Sequence, residues 1–183
     1  MIGDALPVYQ ARYGWDRKTI AVVTISVIFT TMLLLPGVPL LARVLGLPLF
    51  GAGGLFMAYT ALSRKVAFRV DATGVLLGGN PARYRATTVH VPWGDITGFV
   101  LWRQSVGGGA TLPYIGIARH ADAPALPGDR PMARAAVNWL VPVPAEVAMC
   151  SRAVNGWHLD VDQLTAAVAY FAPGVPVRHH PRP

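Results

Sequence analysis

The chain has 183 residues, of which 53% are hydrophobic and 14% are charged. It is more apolar than an ordinary soluble domain, and the excess lies between Thr19 and Ser63, where Arg43 is the only charged residue. The formal net charge of +7 arises from sixteen Lys and Arg against nine Asp and Glu. A single cysteine, Cys150, excludes an intramolecular disulfide and a cysteine-rich zinc site. We expect it to be a buried, small apolar residue.

Two apolar stretches, residues 19–35 and 44–63, are each predicted to form a membrane-spanning helix, because a span needs about 17 to 25 apolar residues. The prolines and glycine of residues 36–39 predict the turn between them. A transmembrane helical hairpin over 19–63 is therefore expected, preceded by an N-terminal segment, 1–18. A cleaved signal peptide would have a shorter apolar core, and a soluble helical hairpin would have polar faces.

Basic residues flank the hairpin at Arg17, Lys18, Arg64 and Lys65, whereas the short connection carries only Arg43. Cytoplasmic loops are enriched in Lys and Arg. This distribution predicts a two-span plasma-membrane protein with both termini in the cytoplasm.

Small residues in the second span, among them Gly54 and Ala58, lie one helical turn apart and allow close helix approach. The simpler interpretation is packing within the hairpin. The alternative is homodimerisation through the transmembrane helices.

From residue 64 the pattern changes to the alternation typical of β-strands. Strands are predicted at 66–70, 75–77, 88–93, 96–104, 112–118 and 135–143, with a tight turn at Asp71–Gly74, a glycine-rich loop at 107–109 and a proline-rich loop at 120–131.

Two helices are predicted to follow the strands. The first covers Pro144 to Val154, and the second begins at Asp160, which is expected to cap it with Gln163 three residues later. Residues 175–183 are predicted to be a loose tail.

The predicted fold class is therefore α+β, with an antiparallel β-barrel or sandwich and a C-terminal helix over residues 64–174. The segments Val91-Pro-Trp-Gly-Asp95-Ile96, DATGVLLGG and NGWHLDVDQLTAAVAYFAPGVPV resemble those of membrane-attached bacterial PH-like domain proteins, especially the actinobacterial ones. The resemblance covers most of the chain and implies a PH-like fold at the membrane more than it implies an activity.

The resemblance also implies structural roles for Trp93, which is expected to fill the core, and for Asp95, which is expected to cap a turn. The alternative is that these two residues bind a ligand. PH domains that bind phosphoinositides usually carry basic residues on the first hairpin loop, but here that loop contains Asp71. The nearest basic residues, Arg83 and Arg85, are candidates for contact with anionic lipid beside Arg64 and Lys65. A solvated loop is equally compatible with the sequence.

No catalytic, cofactor-binding or metal-ligating motif is evident. His120 and Asp122 lie in the proline-rich loop without further ligand-spaced partners, and Asp160 and Asp162 suit a helix N-terminus. The terminal helix lacks Lys and Arg, which disfavours nucleic-acid binding.

The sequence thus predicts a non-enzymatic interaction module at the cytoplasmic face of the plasma membrane that binds a protein partner. Two alternatives stay open. One is recognition of anionic lipid through the basic residues named above, and the other is a role as an accessory subunit of a membrane complex.

Overall fold

The computed structural model describes residues 8–124, 126 and 141–180. The chain forms two units. A sheet unit is drawn from Met1–Ala11, Val66–Asn155 and Leu159–Pro183, and a helical unit from Arg12–Lys65 and Gly156–His158.

The helical unit contains two helices that are each long and apolar enough to cross a membrane. The first, α1, covers Arg17–Leu34, and Asp16 caps it by accepting a hydrogen bond from the Thr19 backbone N–H at 2.6 Å. The second is continuous over Leu40–Ser63 and comprises α2 (Leu40–Gly46), a π-helical stretch (Leu47–Ala52) and α3 (Gly53–Ser63). The π-helical stretch contains Pro48, whose ring cannot fit a regular helix interior.

Arg43 of α2 makes a hydrogen bond across the connection between these helices. Its Nη2 donates to the carbonyl oxygen of Leu35 at 2.8 Å, which supplies a cationic partner to the C-terminal end of α1. Phe29 and Phe50 stack across the hairpin with ring centroids 4.7 Å apart.

The described residues of the sheet unit form two four-stranded sheets. Sheet A has the order β1-β2-β3-β4, and sheet B the order β7-β6-β5-β8. The strands of sheet A are β1 (Tyr9–Arg12), β2 (Val66–Asp71), β3 (Gly74–Leu77) and β4 (Val89–Pro92). Those of sheet B are β5 (Ile96–Ser105), β6 (Thr111–Arg119), β7 (Ser151–Ala153) and β8 (Val177–His179).

The described part of this unit also contains the helices α4 (Tyr84–Thr87), α5 (Ala145–Met149) and α6 (Val161–Phe171). The core is built from alternate residues of the strands, including Phe68, Leu77, Phe99 and Ile115, and from Leu164 of α6.

The predicted α+β class and the first hairpin are confirmed. The turn at Asp71–Gly74 joins β2 to β3 in register. Gly74 adopts φ +144°, and a Cβ there would collide with the backbone of Val91 on the neighbouring strand. The cap at Asp160 is confirmed as well, because its side chain accepts from the Gln163 N–H at 2.9 Å.

Three predictions are corrected, and the N-terminal segment contains a strand that was not predicted. The described strands form two sheets that do not close into a barrel. The predicted tail contributes β8, which pairs with β5 in parallel, so the sheets are not wholly antiparallel. The N-terminal segment contributes β1 to sheet A. The helix predicted over 144–154 ends at Met149, and Ser151–Ala153 instead pairs with β6.

The strand predicted over 135–143 falls mainly outside the described residues, and its last positions, 141–143, are not in a strand. The proline-rich loop at 120–131 lies partly outside them as well.

Candidate functional site

The clearest candidate site in the sheet unit is a basic segment between β3 and β4, which we define as residues 81–87. It consists of a 3-10 turn, Pro81–Arg83, followed by α4. Asn80 caps it by accepting from the Ala82 N–H at 2.9 Å. Tyr84 attaches it to the sheet, since its hydroxyl donates to the Val66 carbonyl oxygen at 2.8 Å.

This anchoring leaves two cations on the surface. Arg83 and Arg85 are both exposed, and within the described part of the chain neither guanidinium has an acidic or carbonyl partner. An exposed arginine without an intramolecular partner keeps all of its guanidinium N–H donors available for a phosphate or carboxylate. The basic segment is therefore suited to contact an anion.

The other two predicted lipid contacts, Arg64 and Lys65, belong to the helical unit. Arg64 ends α3 with φ 46°, and its carbonyl oxygen accepts from the Arg12 guanidinium at 3.2 Å. The Lys65 carbonyl oxygen accepts from the Tyr13 N–H at 3.0 Å, and its ammonium lies 6.0 Å from the centre of the Tyr59 ring. The chain therefore enters and leaves the apolar hairpin at neighbouring points.

The loop between β2 and β3 is acidic, as the sequence indicates. The Asp71 carboxylate accepts from the N–H and the hydroxyl of Thr73 at 2.9 and 2.6 Å and pairs with Arg69 at 2.8 Å. The Thr73 hydroxyl oxygen also lies 3.1 Å from Nε2 of His90. Burial acts to raise the pKa of Asp71, but the Thr73 hydrogen bonds and the Arg69 charge together lower it. A carboxylate that stays ionised here disfavours an anionic ligand on this loop.

The structure places Trp93 at the start of a 3-10 turn, where it is half-buried rather than at the centre of the core. Its indole N–H donates to the Asp71 carbonyl oxygen at 2.8 Å, and its ring contacts Phe99 edge-on. Asp95 makes no cap to that turn, and its carboxylate lies 3.6 Å from Arg119. Through these contacts, Trp93 and Asp95 connect β2, β5 and β6, which is a structural role.

In the helical unit, Gly54 is buried against α1. A Cβ at this position would lie 2.5 Å from the Cβ of Ser26, so the absence of a side chain permits the close approach of the two helices. Ala58 is half-buried beside the same contact. The small surface of Gly54 is thus used within the hairpin.

Sequence reasoning missed Arg152, whose side chain makes several hydrogen bonds within the described part of the sheet unit. Its guanidinium donates to the carbonyl oxygens of Gly78, Thr87 and Ser151 at 2.7 to 2.8 Å. It thereby joins β7 to both ends of the connection that carries the basic segment. No sequence pattern signals this role, because it depends on pairing between strands far apart in the chain.

Beside Arg152 lies a cavity of about 460 Å³ that also contacts Leu77 and Cys150. Burial raises the pKa of the Cys150 thiol to about 11, although Arg119 and Arg152 oppose the shift. Because the thiolate is the nucleophilic form, Cys150 is a protonated core residue at neutral pH.

His120 and Asp122 share a small polar cleft with Asp95. Among the described residues, no group of three His, Cys, Asp or Glu side chains is arranged to hold a metal ion.

No protein-family model, curated protein or solved structure matches this chain. The resemblance to PH-like domain proteins therefore stays a prediction.

Proposed function

We propose that this protein is a non-enzymatic interaction module of PH-like type, anchored to the cytoplasmic face of the plasma membrane by its own helical hairpin and binding a protein partner there. Two lines of observation support the anchor, one from the helices and one from the charges around them.

The first is the exposure of the two long helices. Only 11% of the first apolar window and 6% of the second is buried, whereas the core helix of a soluble protein is mostly buried. Among the described residues, all large hydrophobic side chains that are exposed belong to this hairpin except Val8, Trp15, Val106 and Tyr170. So large an exposed apolar surface is stable in a hydrocarbon environment and is a liability in water.

The second is the distribution of charge. Arg17 and Lys18 begin α1, Arg64 and Lys65 follow α3, and Arg43 of α2 contacts the end of α1. An excess of positive charge at the two outer ends favours their location in the cytoplasm.

A deletion tests the attachment. Because Tyr13 and Lys65 are hydrogen-bonded neighbours, residues 16–63 can be replaced by a short Gly-Ser linker without stretching the chain. The shortened protein should move from the membrane to the soluble fraction and keep a β-rich circular dichroism spectrum. A folded deletion protein that still fractionates wholly with membranes would contradict the anchor.

The partner is tested by cross-linking intact membranes and purifying the full chain beside a version that lacks residues 64–183. A protein recovered only with the full chain would support a partner-binding role for the sheet unit. Recovery of the same proteins with both versions would count against it.

The exposure of Arg83 and Arg85 supports a second candidate function, recognition of anionic lipid by the basic segment. Each cation near an acidic membrane surface contributes about 1 kcal/mol. The deletion protein should then bind vesicles containing phosphatidylserine in a salt-sensitive manner, and Arg83→Ala with Arg85→Ala should weaken binding several-fold.

The matched control is Arg103→Ala with Arg178→Ala, which removes the same charge from two other exposed positions. Equal weakening by both pairs would indicate a response to net charge alone and would exclude the basic segment as the lipid site.

A further inference from the structure

A groove in the helical unit lies between α1 and the second long helix. Its volume is about 330 Å³, which is within the range of pockets that hold small ligands. The described residues that line it are all apolar or hydroxyl-bearing. Ser26 and Thr30 belong to the wall formed by α1, and Phe50, Gly51 and Gly54 belong to the opposite wall.

The groove lies at half the length of the apolar hairpin. Ser26 is at the centre of α1, which covers Arg17–Leu34. At a rise of about 1.5 Å per residue, it is roughly 13 Å along the helix from either end. In a bilayer whose hydrocarbon core is about 30 Å thick, this position is near the midplane. A phospholipid headgroup, which stays at the membrane surface, does not reach this depth.

Two hydroxyl groups in the groove have no hydrogen-bond partner within the described part of the chain, those of Ser26 and Thr30. By contrast, the neighbouring hydroxyl of Thr31 donates to the Val27 carbonyl oxygen of its own helix at 2.9 Å. Ser26 is only 7% exposed. A polar group that is removed from water without a partner is unfavourable. An acceptor that entered the groove would therefore be stabilised by these two donors.

The shape of the groove favours a thin, flat occupant. A Cβ at Gly54 would lie 2.5 Å from the Cβ of Ser26, so the two helices touch beside the Ser26 hydroxyl. A further helix, which is about 10 Å across, is too wide to reach a side chain buried at this contact. Beside Thr30 there is more room, because a Cβ at Gly51 would lie 3.8 Å from Thr30 Oγ1.

Phe50 adds an aromatic surface to the groove. It belongs to the π-helical stretch Leu47–Ala52, and π-helical segments are rare and occur frequently at functional sites. Its ring stacks on that of Phe29, with the centroids 4.7 Å apart and an angle of 14° between the ring planes. The stacking fixes the Phe50 ring in an orientation against which a planar ligand ring can pack.

Given the membrane anchor proposed above, we propose that this groove binds the head ring of an isoprenoid quinone. Such a molecule is neutral, planar and soluble in the hydrocarbon core. Its carbonyl oxygens accept hydrogen bonds from the Ser26 and Thr30 hydroxyls, and its ring packs against Phe50. A phospholipid acyl chain fits the apolar walls but offers no acceptor to the hydroxyls, so the quinone is the better match to the groove.

Native mass spectrometry of the full-length protein, released from detergent micelles, tests this binding with decylubiquinone as the probe. Decylbenzene is the matched probe, because it has the same tail and a ring without carbonyl oxygens. We expect a complex of the chain with decylubiquinone, and several-fold less complex with decylbenzene at the same concentration. Equal amounts of the two complexes would overturn the proposal, since the groove would then accept any apolar molecule.

Hydroxyl variants test the two donors. Thr30→Val keeps the shape of the side chain and removes its hydroxyl, so the fraction of chains that bind decylubiquinone should fall several-fold. Ser26→Ala should act in the same direction. Thr24→Val is the matched control, because Thr24 is an exposed residue of α1 outside the groove, and it should leave the bound fraction unchanged. The same bound fraction in Thr30→Val and Thr24→Val would overturn the role of the Thr30 hydroxyl.

A second pair of variants fills the groove. Gly51→Leu places a side chain inside it, whereas Gly53→Leu extends into open space, since a Cβ at Gly53 meets no atom within 4 Å. We expect Gly51→Leu to abolish decylubiquinone binding and Gly53→Leu to preserve it. Binding by both variants would place the ligand elsewhere and would overturn the site.

These results can be told apart from a failure of the anchor. A full-length protein that fractionates with membranes but binds decylubiquinone no better than decylbenzene would overturn the quinone site and leave the anchor intact. A full-length protein found in the soluble fraction would contradict the anchor and, with it, the quinone site.

Discussion

The hydroxyl oxygen of Tyr9 accepts a hydrogen bond from the backbone N–H of Asp160 at 2.9 Å. Tyr9 is buried in β1 and also contacts Phe68 of β2, while Asp160 caps α6. One side chain thus joins the N-terminal strand, the adjacent strand of sheet A and the start of the C-terminal helix.

Removal of this hydroxyl is expected to destabilise the protein. Tyr9→Phe leaves the Asp160 N–H without its acceptor, at a cost of about 1 kcal/mol. The free energy of unfolding of the full chain in detergent micelles, measured by urea titration, should fall accordingly. Tyr170→Phe, at an exposed position, should change it by much less. Equal effects from the two variants would count against the hydrogen bond as a source of stability.

The cap of α6 gives a second expectation. Asp160→Ala removes the acceptor for the Gln163 N–H and should lower the unfolding free energy by about 1 kcal/mol. Asp162→Ala removes an equal charge from the same first turn, but Asp162 does not cap the helix. Its effect should be less than half as large. If the two losses were the same, charge at the helix N-terminus would be the relevant factor.

Arg152 should be sensitive even to a conservative replacement. Arg152→Lys keeps the charge, but one ammonium cannot reproduce a guanidinium that bonds to three separate carbonyl oxygens. We expect a loss of about 2 kcal/mol in unfolding free energy. Arg103→Lys, on an exposed strand end, is the matched control and should stay within about 0.5 kcal/mol of the parent. An Arg152→Lys variant with an unchanged free energy of unfolding would refute the structural role of these hydrogen bonds.

The buried thiol predicts that the free energy of unfolding depends on pH. Because burial raises the pKa of Cys150 to about 11 in the folded state, the folded protein retains this proton when the unfolded chain loses it. The contribution of this proton to the free energy of unfolding is fully present below the pKa of the unfolded thiol, about 8.5. It is lost as the pH rises toward 11. Iodoacetamide at pH 8 should modify Cys150 only after denaturation, as read by mass spectrometry. An exposed thiol from Ala110→Cys should react in the native protein, and rapid native labelling of Cys150 would contradict its burial.

The proposed topology predicts opposite labelling of two positions. In a Cys150→Ala background, Pro36→Cys lies in the exposed connection of the hairpin and Ala110→Cys in the exposed loop between β5 and β6. A membrane-impermeant maleimide added to intact cells should label only the first, and labelling of the second should require lysis. The reverse pattern would indicate the opposite orientation. Labelling of both positions in intact cells would exclude the proposed topology.

Local patterns in the sequence determined the parts of the fold whose interactions are themselves local. The apolar run before Pro36 is sufficient to define α1, since a helix makes its hydrogen bonds within four residues. Alternation over Val66–Val70 and the turn at Asp71–Gly74 determined β2 and β3 in the same way, and Asp160 with Gln163 determined the start of α6.

Tertiary structure alone decided the remaining features. The strands β1, β7 and β8 were not predicted from the sequence, and β7 and β8 are only three residues long. All three exist because longer strands offer them an edge. The same applies to Arg152, whose acceptors lie 65 and 74 residues away at Thr87 and Gly78. A pairing over such distances depends on the position of the whole chain, and no local residue pattern encodes it.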